Sequence, residues 1–387
     1  MTAVGASDAL VARSTVAGES SLSLTELRVR GFRNLAPATL HFPPQGIAIV
    51  GENGQGKTNL LEAIYYLQLL RSVRGARDAD LVRFGETAFH LTAGTKGART
   101  REISVGFDRV GKRKRVRLDG AETPRLSDAL GALPAVIFSP ADAALVAGAP
   151  SERRRFLDVT LALTSRRYLA ALQHYRAALV RRNAALRDAA RAGSDASRAA
   201  VWEPALAEHG SVLWTERVAW TERYALPFSE LCGAIGERGA ARLRYVTSLD
   251  NTGDVRTALL EALEAKRGLD LRRGLTHAGP HRDDLAITLD GRELRVFGSA
   301  GQQRTAAIAL RMLEAATLRE RTRSAPLFLL DDPFAELDAR RAHRILELLA
   351  DAGLGQTVLA VPRAADTPAE LTRLDRWTVR DGVIGAS

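Results

Sequence analysis

Residues 51–58 read Gly-Glu-Asn-Gly-Gln-Gly-Lys-Thr, a G-x4-G-K-T pattern that directly follows an apolar run at 47–50. After it, Leu60, Leu61 and Ile64 recur at helical spacing, so the local order is strand, glycine-rich loop, helix. In that context the pattern predicts a phosphate cradle rather than a chance turn. The backbone N–H groups would surround the phosphates, with Lys57 reaching the β- and γ-phosphates and Thr58 binding Mg²⁺.

A second motif supplies the acidic groups that a Mg²⁺-nucleotide site needs. The apolar run 327–330 is typical of a strand buried on both faces, and Asp331 and Asp332 follow it. We expect Asp331 to hold Mg²⁺, directly or through water, and Asp332 to orient or deprotonate the attacking water. The alternative is that both aspartates lie solvated in a turn without a functional role. The presence of the phosphate loop makes this alternative less favoured.

A third motif, Ser299-Ala-Gly-Gln-Gln303, begins a predicted helix shortly before the acidic strand. It resembles the signature of ABC ATPases, in which this helix N-terminus faces the γ-phosphate held by a second protomer. The resemblance implies that Ser299, Gly301 and Gln302 complete the site across a dimer. The alternative is a simple helix N-cap at Ser299. Glu336-Leu337-Asp338 looks like the D-loop that crosses the same interface.

Composition limits the class of protein and of partner. The 387 residues carry 55 Lys and Arg against 45 Asp and Glu, a formal net charge of +10, which favours nucleic acid or a membrane surface as partner. Arg outnumbers Lys heavily, which can reflect codon composition, so the charge is weak evidence. The single cysteine, Cys232, excludes an intramolecular disulfide. Charges interrupt every apolar run, so we expect a cytoplasmic protein without a membrane span.

The chain divides into four expected segments. Residues 1–23 are predicted to be a flexible tail without the pattern of a secretory signal. Residues 24–140 would form the first part of an ATPase lobe, with further strands at 103–107, 116–118 and 135–138. Residues 141–266 are rich in Ala, Leu and Arg at helical spacing and predict a helical insert. Residues 267–387 would return to the ATPase lobe, with a strand at 285–289.

The combination of motifs resembles the RecF family of recombination-repair ATPases, whose head domain is shared with the SMC proteins. The residues that carry the resemblance are Phe32-Arg-Asn-Leu35, 51–64, Phe138-Ser-Pro-Ala-Asp142, Arg153-Arg-Arg-Phe-Leu-Asp158, Gly279-Pro-His-Arg-Asp-Asp284, Gly301-Gln-Gln-Arg304 and Leu330-Asp-Asp332. It implies an α/β fold: an ABC-type P-loop ATPase lobe with a mixed sheet, discontinuous in sequence, plus an inserted, mainly helical lobe.

The resemblance also implies function. It implies ATP and Mg²⁺ as ligands, an ATP-dependent homodimer, binding to duplex or gapped DNA, and two recombination-mediator partner proteins that help to load recombinase onto single-stranded DNA. Asp332 and Lys57 would be catalytic, and Thr58 and Asp331 would bind the metal. The motifs place the ATP contacts at Arg33, Gly51, Asn53, Gly54, Gly56, Lys57, Thr58, Asn59, Ser299, Gly301 and Gln302.

Several positions depart from the family pattern. Ala300, Pro333 and Ala335 replace more usual residues, and Asp332 stands where many ABC enzymes have the longer Glu. A shorter carboxylate would seat water less well, so we expect slow ATP hydrolysis.

Other functions and sites stay open at this level. A similar head occurs in ATP-dependent nucleases, in SMC-like proteins with other DNA roles and in ABC transporters. Three arginine-rich clusters are candidates for phosphate contacts, as alternatives to solvated or internally paired faces. These clusters are Arg71, Arg74 and Arg77; 112–115 with Arg117; and 153–155. His277 and His281, with Asp283 and Asp284, are a weak candidate for a metal site.

Overall fold

The strand predicted before the glycine loop is present at Gly46–Val50 in the computed structural model, which describes residues 22–97, 101–249, 253–333, 338–351 and 355–386. Two units divide the chain. The first contains the chain up to Asp142, the short segment Ala234–Gly236 and the chain from Ile308 onward. The second contains Ala143–Gly233 and Glu237–Ala307.

The strands are numbered in chain order as follows: β1 Ser23–Arg30, β2 Ala38–His41, β3 Gly46–Val50, β4 Ala88–Lys96, β5 Arg101–Asp108, β6 Arg113–Leu118, β7 Ala121–Glu122, β8 Ala135–Phe138, β9 Ala241–Val246, β10 Asp284–Leu289, β11 Arg292–Glu293, β12 Leu327–Asp331, β13 Thr357–Val361, β14 Asp375–Arg380 and β15 Val383–Ala386.

The α-helices are α1 Lys57–Leu69, α2 Asp78–Leu81, α3 Ala144–Ala147, α4 Pro150–Thr164, α5 Arg166–Ala192, α6 Ser197–Ala200, α7 Glu203–Ile235, α8 Val255–Ala265, α9 Arg267–Arg273, α10 Leu294–Phe297, α11 Ala300–Thr322 and α12 Ala339–Asp351. No helix among the described residues combines the length and apolar composition that crossing a bilayer requires.

The central sheet of the first unit has the order β15-β14-β3-β13-β12-β8. All neighbouring pairs are parallel except β14 with β15. The described residues of β13 are all buried, as its apolar sequence predicts for a strand covered on both faces. Because β3 and β12 flank β13 in parallel, the residues that follow them lie at the same edge of the sheet. The sheet therefore brings the phosphate loop and the acidic pair to one edge.

A second, antiparallel sheet in the same unit has the order β2-β1-β4-β5-β6-β7. In β6, exposed residues alternate with less exposed or buried ones, whereas in β5 the consecutive residues Ile103, Ser104 and Val105 are all buried. Phe89 of β4 packs edge-on against Tyr66 of α1 at 5.4 Å between ring centroids. The strands expected at 103–107 and 116–118 are present, but they belong to this sheet, whereas Ala135–Phe138 joins the central one.

The second unit is mainly helical, and the segment 141–266, predicted to be helical, contains the long helices α5 and α7. It also holds a three-stranded antiparallel sheet, β11-β10-β9. The expected segment boundary between 266 and 267 differs from the observed division, because β9 pairs along its length with β10 and ties the two sides together. The strand expected at 285–289 is therefore β10 of this small sheet.

Buried charges hold the second unit together. The guanidinium of Arg182 is fully buried and donates to Asp270 at 2.7 Å and to Glu203 at 2.9 Å. Cys232 is also buried, and burial raises the pKa of its thiol to about 12. Of the predicted tail, residues 1–21 lie outside the described residues, while Ser23 already begins β1.

Candidate nucleotide site

The glycine loop closes on the N-terminus of α1. Gly56 precedes the helix with φ 122°, a conformation that side chains rarely adopt. A Cβ atom at this position would lie 3.1 Å from Asn34 Oδ1, so the loop also needs glycine for space. Asn34 in turn donates from Nδ2 to the carbonyl of Gly54 at 3.2 Å. Sequence and packing therefore fix a loop whose backbone amides adjoin a helix N-terminus, the arrangement that binds phosphate.

Lys57 is the first residue of α1 and is largely buried. Its Nζ donates to two loop carbonyls, that of Gly51 and, at 2.9 Å, that of Glu52. Burial lowers the pKa of the ammonium, and the nearby charges of Asp331 and Asp332 oppose that shift. The predicted lysine thus lies beside the predicted acids.

Thr58 and Asp331 bring the two predicted metal ligands together. The Thr58 hydroxyl donates to Asp331 Oδ1 at 3.1 Å, although 273 residues separate them in the chain. Burial raises the pKa of the Asp331 carboxyl, and Thr58, Lys57 and Arg74 offset part of that shift. A hydroxyl next to a buried carboxylate is a hard oxygen donor set of the kind that Mg²⁺ prefers.

Asp332 follows the strand in a strained backbone conformation. Its φ is 45°, and its N–H donates to the carbonyl of Ala360 at the end of β13, at 3.0 Å. Residues other than glycine are held in this region only where the surroundings enforce it, and such residues cluster at functional sites. The structure thus places Asp332 directly after Asp331, one of the two residues predicted to bind the metal.

A buried carboxylate, Glu62, organises the side of α1 next to the loop. It accepts from Arg33 Nε at 3.0 Å, from Ser72 Oγ at 2.5 Å and from Arg74. Burial opposes its charge, but the hydrogen bonds from Arg74, Arg33 and Ser72 hold the pKa of Glu62 below its usual value. Arg33, a predicted ATP contact, is therefore engaged with Glu62.

Arg74 contacts residues of α1 beside the phosphate loop. It donates to Asn59 Oδ1 at 2.5 Å, and Asn59 donates to Asn34 Oδ1 at 2.7 Å. Its charge also offsets part of the rise that burial causes in the pKa of Asp331. Sequence reasoning grouped Arg74 with Arg71 and Arg77, because nothing local revealed the carboxylate that binds it.

The β14–β15 hairpin supports the loop from the far end of the chain. Gln55 accepts from the backbone N–H groups of Asp381, through its side chain at 2.6 Å, and of Gly382, through its carbonyl at 2.9 Å. Sequence analysis missed this contact. The only local signal is the Asp381-Gly382 pair, which is typical of a tight hairpin turn.

The third motif lies in the second unit, where Ser299 caps α11. Its Oγ accepts from the N–H of Gln302 at 3.3 Å, and its own N–H donates to Gln302 Oε1 at 2.9 Å, a reciprocal capping box. Ser299 is exposed, while Gly301 and Gln302 are partly exposed. The helix N-cap that the sequence offered as the alternative for Ser299 is thus observed. The capped end of α11 lies at the surface of the unit. Residues 334–337, including Glu336 and Leu337, lie outside the described residues.

The other candidates have structural partners. His277 Nδ1 lies 2.8 Å from Asp270, and His281 is held by the hydroxyl of Tyr175 at 2.6 Å and the carbonyl of Thr276 at 3.0 Å. Among the described residues, no group of three or more His, Cys, Asp and Glu side chains is arranged to hold a metal ion.

Comparison with known proteins covers most of the chain. A family model described as the RecF/RecN/SMC N-terminal domain matches residues 23–361. A protein named DNA replication and repair protein RecF from Frankia alni is 39% identical over 380 residues, which covers 94% of this chain and 99% of that protein. The protein of the same name from Lactobacillus delbrueckii is 36% identical over 337 residues, covering 84% and 87% of the two chains.

Solved structures agree with the sequence matches. The recombination mediator protein RecF with ATP, of the RecFOR pathway, superposes with a TM-score of 0.88 at 30% identity, over 96% of this chain and 99% of that one. The Smc head domain of Pyrococcus furiosus superposes at 0.53 and 18% identity, over 95% and 96% of the chains, which shows a shared fold. The predicted α/β fold of an ABC-type ATPase with a mainly helical second unit is confirmed.

Proposed function

The chain belongs to the RecF family, and on that premise we propose that it is an ATP-driven switch that binds DNA in recombinational repair and replication restart. The observation that carries the proposal is the meeting of the phosphate loop with the acidic strand, where Thr58 Oγ1 lies 3.1 Å from Asp331 Oδ1. Relatives named DNA replication and repair protein RecF, over nearly the full length, supply the DNA role.

The loop residues would hold the triphosphate. Lys57 already donates to two carbonyls of the loop and would exchange them for phosphate oxygens. Gly51, Gly54 and Gly56, with the exposed Asn53, would let backbone N–H groups approach the phosphates closely. The network of Arg33, Asn59 and Arg74 around Glu62 would keep that geometry fixed before nucleotide arrives.

Thr58 and Asp331 would hold Mg²⁺ through their oxygens. The ion would neutralise charge on the phosphates during transfer. Asp332, which follows β12 with φ 45°, would orient the attacking water and accept its proton. Its side chain is one carbon shorter than Glu, which supports slow hydrolysis.

The exposed N-terminus of α11 would complete the site of a second copy. Because α11 spans Ala300–Thr322, its dipole leaves partial positive charge at Ser299, Gly301 and Gln302, where an anionic γ-phosphate would be stabilised. ATP bound by one protomer would thereby join two copies, and hydrolysis would separate them. The closed homodimer would grip duplex or gapped DNA and work with mediator partner proteins in loading recombinase onto single strands, in the cytoplasm.

Sedimentation velocity with and without Mg-ATP tests this scheme. Asp332→Asn should bind ATP, hydrolyse it at least tenfold more slowly and accumulate as a dimer, because the carboxylate is removed while the phosphate loop is intact. Lys57→Ala is the control, and it should neither bind ATP nor dimerise. An Asp332→Asn protein that stays monomeric at saturating ATP would refute the dimer switch.

A further inference from the structure

The outward face of the antiparallel sheet carries a row of arginines that the nucleotide site does not use. Along β6, Arg113, Arg115 and Arg117 alternate with Lys114 and the buried Val116, so the three arginines share the face away from the core. Arg113, Arg115 and Arg117 are exposed. Successive members lie about 7 Å apart along the strand.

The pairing register extends this face across the sheet. Arg115 pairs with Gly106, Gly106 with His90, and His90 with Arg30 of β1. Arg30 therefore lies three strands away, about 14 Å from the β6 row. We call Arg30, His90, Arg113, Arg115 and Arg117 the arginine face.

The centre of the arginine face, between Arg30 and the β6 row, contains small residues and His90. Gly106 has no side chain, and a Cβ there would come within 2.9 Å of His90 Nδ1, so the imidazole lies over the glycine. The next outward pair along these strands, Thr92 and Ser104, has short side chains, and both are buried. The β6 row and Arg30 therefore flank a centre that the imidazole of His90 occupies.

The charges of this face are not neutralised within the part of the chain that the structure describes. Arg28, also outward, is engaged by Glu26 at 2.5 Å and Glu102 at 3.0 Å. Arg30, Arg113, Arg115 and Arg117, by contrast, have no ion pair to a described residue, although Asp108 and Glu122 are register neighbours on β5 and β7.

The charges of the surrounding arginines affect the pKa of His90. Burial lowers the pKa of the imidazole first, and the charges of Arg117, Arg30 and Arg28 lower it further, against Glu102. The net field at the centre of the face is therefore positive.

Several cations of the three clusters in the sequence are paired with carboxylates. Lys114 turns inward to Asp78 at 2.6 Å, and Arg153 is buried against Asp284 at 2.7 Å. Arg74 is engaged with Glu62. Among the described residues of these clusters, Arg113, Arg115 and Arg117 are the ones that lie on one exposed face of a strand.

We propose that the arginine face binds the sugar-phosphate backbone of duplex DNA, which rests on the DNA-binding function proposed above. Guanidinium groups make paired hydrogen bonds to phosphate, and the β6 row and Arg30, about 14 Å apart, can reach phosphates on both sides of one groove. Phe89 and Phe107 of β4 and β5 are buried on the inner face, so within the described strands of this sheet the outer face presents no phenylalanine, tyrosine or tryptophan on which unpaired bases could stack. Duplex is therefore favoured over single strands.

The test compares the double variant Arg115→Gln with Arg117→Gln against a matched control, Arg373→Gln with Arg376→Gln, two exposed arginines of the same unit away from this face. Fluorescence anisotropy with a 30-base-pair duplex, in Mg-ATP, is measured from 50 to 300 mM salt. Two lost phosphate contacts should reduce the slope of log K against log salt by about 1.8, and weaken binding roughly 60-fold at 0.1 M. The control variant should keep the wild-type slope and affinity.

Parallel titrations separate the outcomes. Unchanged ATP binding and dimerisation with the reduced DNA slope support the arginine face. A double variant with the wild-type slope overturns the arginine face while the DNA-binding function stands. A wild-type protein that binds no duplex at all overturns both. Loss of affinity for a poly-glutamate peptide but not for duplex would assign the face to an acidic protein partner and overturn the proposal.

Discussion

Gly382, in the β14–β15 turn, is expected to control nucleotide binding although it lies far from the phosphate loop in sequence. It has φ 78°, and a Cβ at this position would lie 1.9 Å from the carbonyl oxygen of Asn34. Ordinary contact begins at 3.4 Å, so Gly382→Ala must move the turn by about 1.5 Å. A shift of that size breaks both the 2.9 Å bond from the Gly382 N–H to Gln55 and the neighbouring 2.6 Å bond from the Asp381 N–H.

The magnitude follows from those two bonds. Each contributes about 1 kcal/mol, so the loop loses about 2 kcal/mol of support, which corresponds to roughly 30-fold weaker ATP binding. Gly120→Ala is the matched control, since Gly120 has φ 82° after Asp119 in another hairpin but no atom within 4 Å of its Cβ. Both variants have the same backbone strain of about 1–2 kcal/mol, and only Gly382→Ala has the collision.

The assay is titration with a fluorescent ATP analogue in Mg²⁺, with thermal unfolding of both variants alongside. Gly382→Ala should bind about 30-fold more weakly than Gly120→Ala. Equal affinities in the two variants would show that the hairpin does not support the loop, and would refute the reasoning.

Three further outcomes are expected. Ser299→Arg should retain ATP affinity but lose ATP-induced dimerisation in sedimentation, because the bulky cation blocks the exposed end of α11; unchanged dimerisation would remove the signature role. Burial lowers the pKa of His281 to about 4, so the unfolded state binds more protons below about pH 6.5 and the free energy of unfolding should fall from there to about pH 4. His281→Gln should flatten that dependence in chemical denaturation, and an identical slope would contradict the assignment. Purified protein incubated with plasmid and Mg²⁺ or Mn²⁺ should leave the DNA uncut, whereas metal-dependent cleavage would favour the nuclease alternative.

The local sequence was sufficient for the phosphate loop and the buried strands. Glycines at 51, 54 and 56, a following helix and an apolar strand ending in two acids are short-range patterns, and the same residues create the chemistry and the backbone conformation. The strand β12 and the helix α1 were therefore predictable, as was the proximity of Thr58 to Asp331, the two residues predicted to bind the metal. The helix N-cap at Ser299 was also predictable from the sequence, because capping depends on a hydrogen bond between residues close in the chain.

Only the tertiary structure decided which charges are free and which are engaged. Arg153 meets a carboxylate 131 residues away, and Arg74 meets Glu62, whereas Arg115 and Arg117 face outward. The partition of strands between two sheets and the support of Gln55 by Gly382 also depend on contacts between distant segments. The sequence determines which residues are charged. Whether a charge is neutralised depends on the groups that folding places within a few ångströms of it, because charge interactions weaken with distance and with exposure to water.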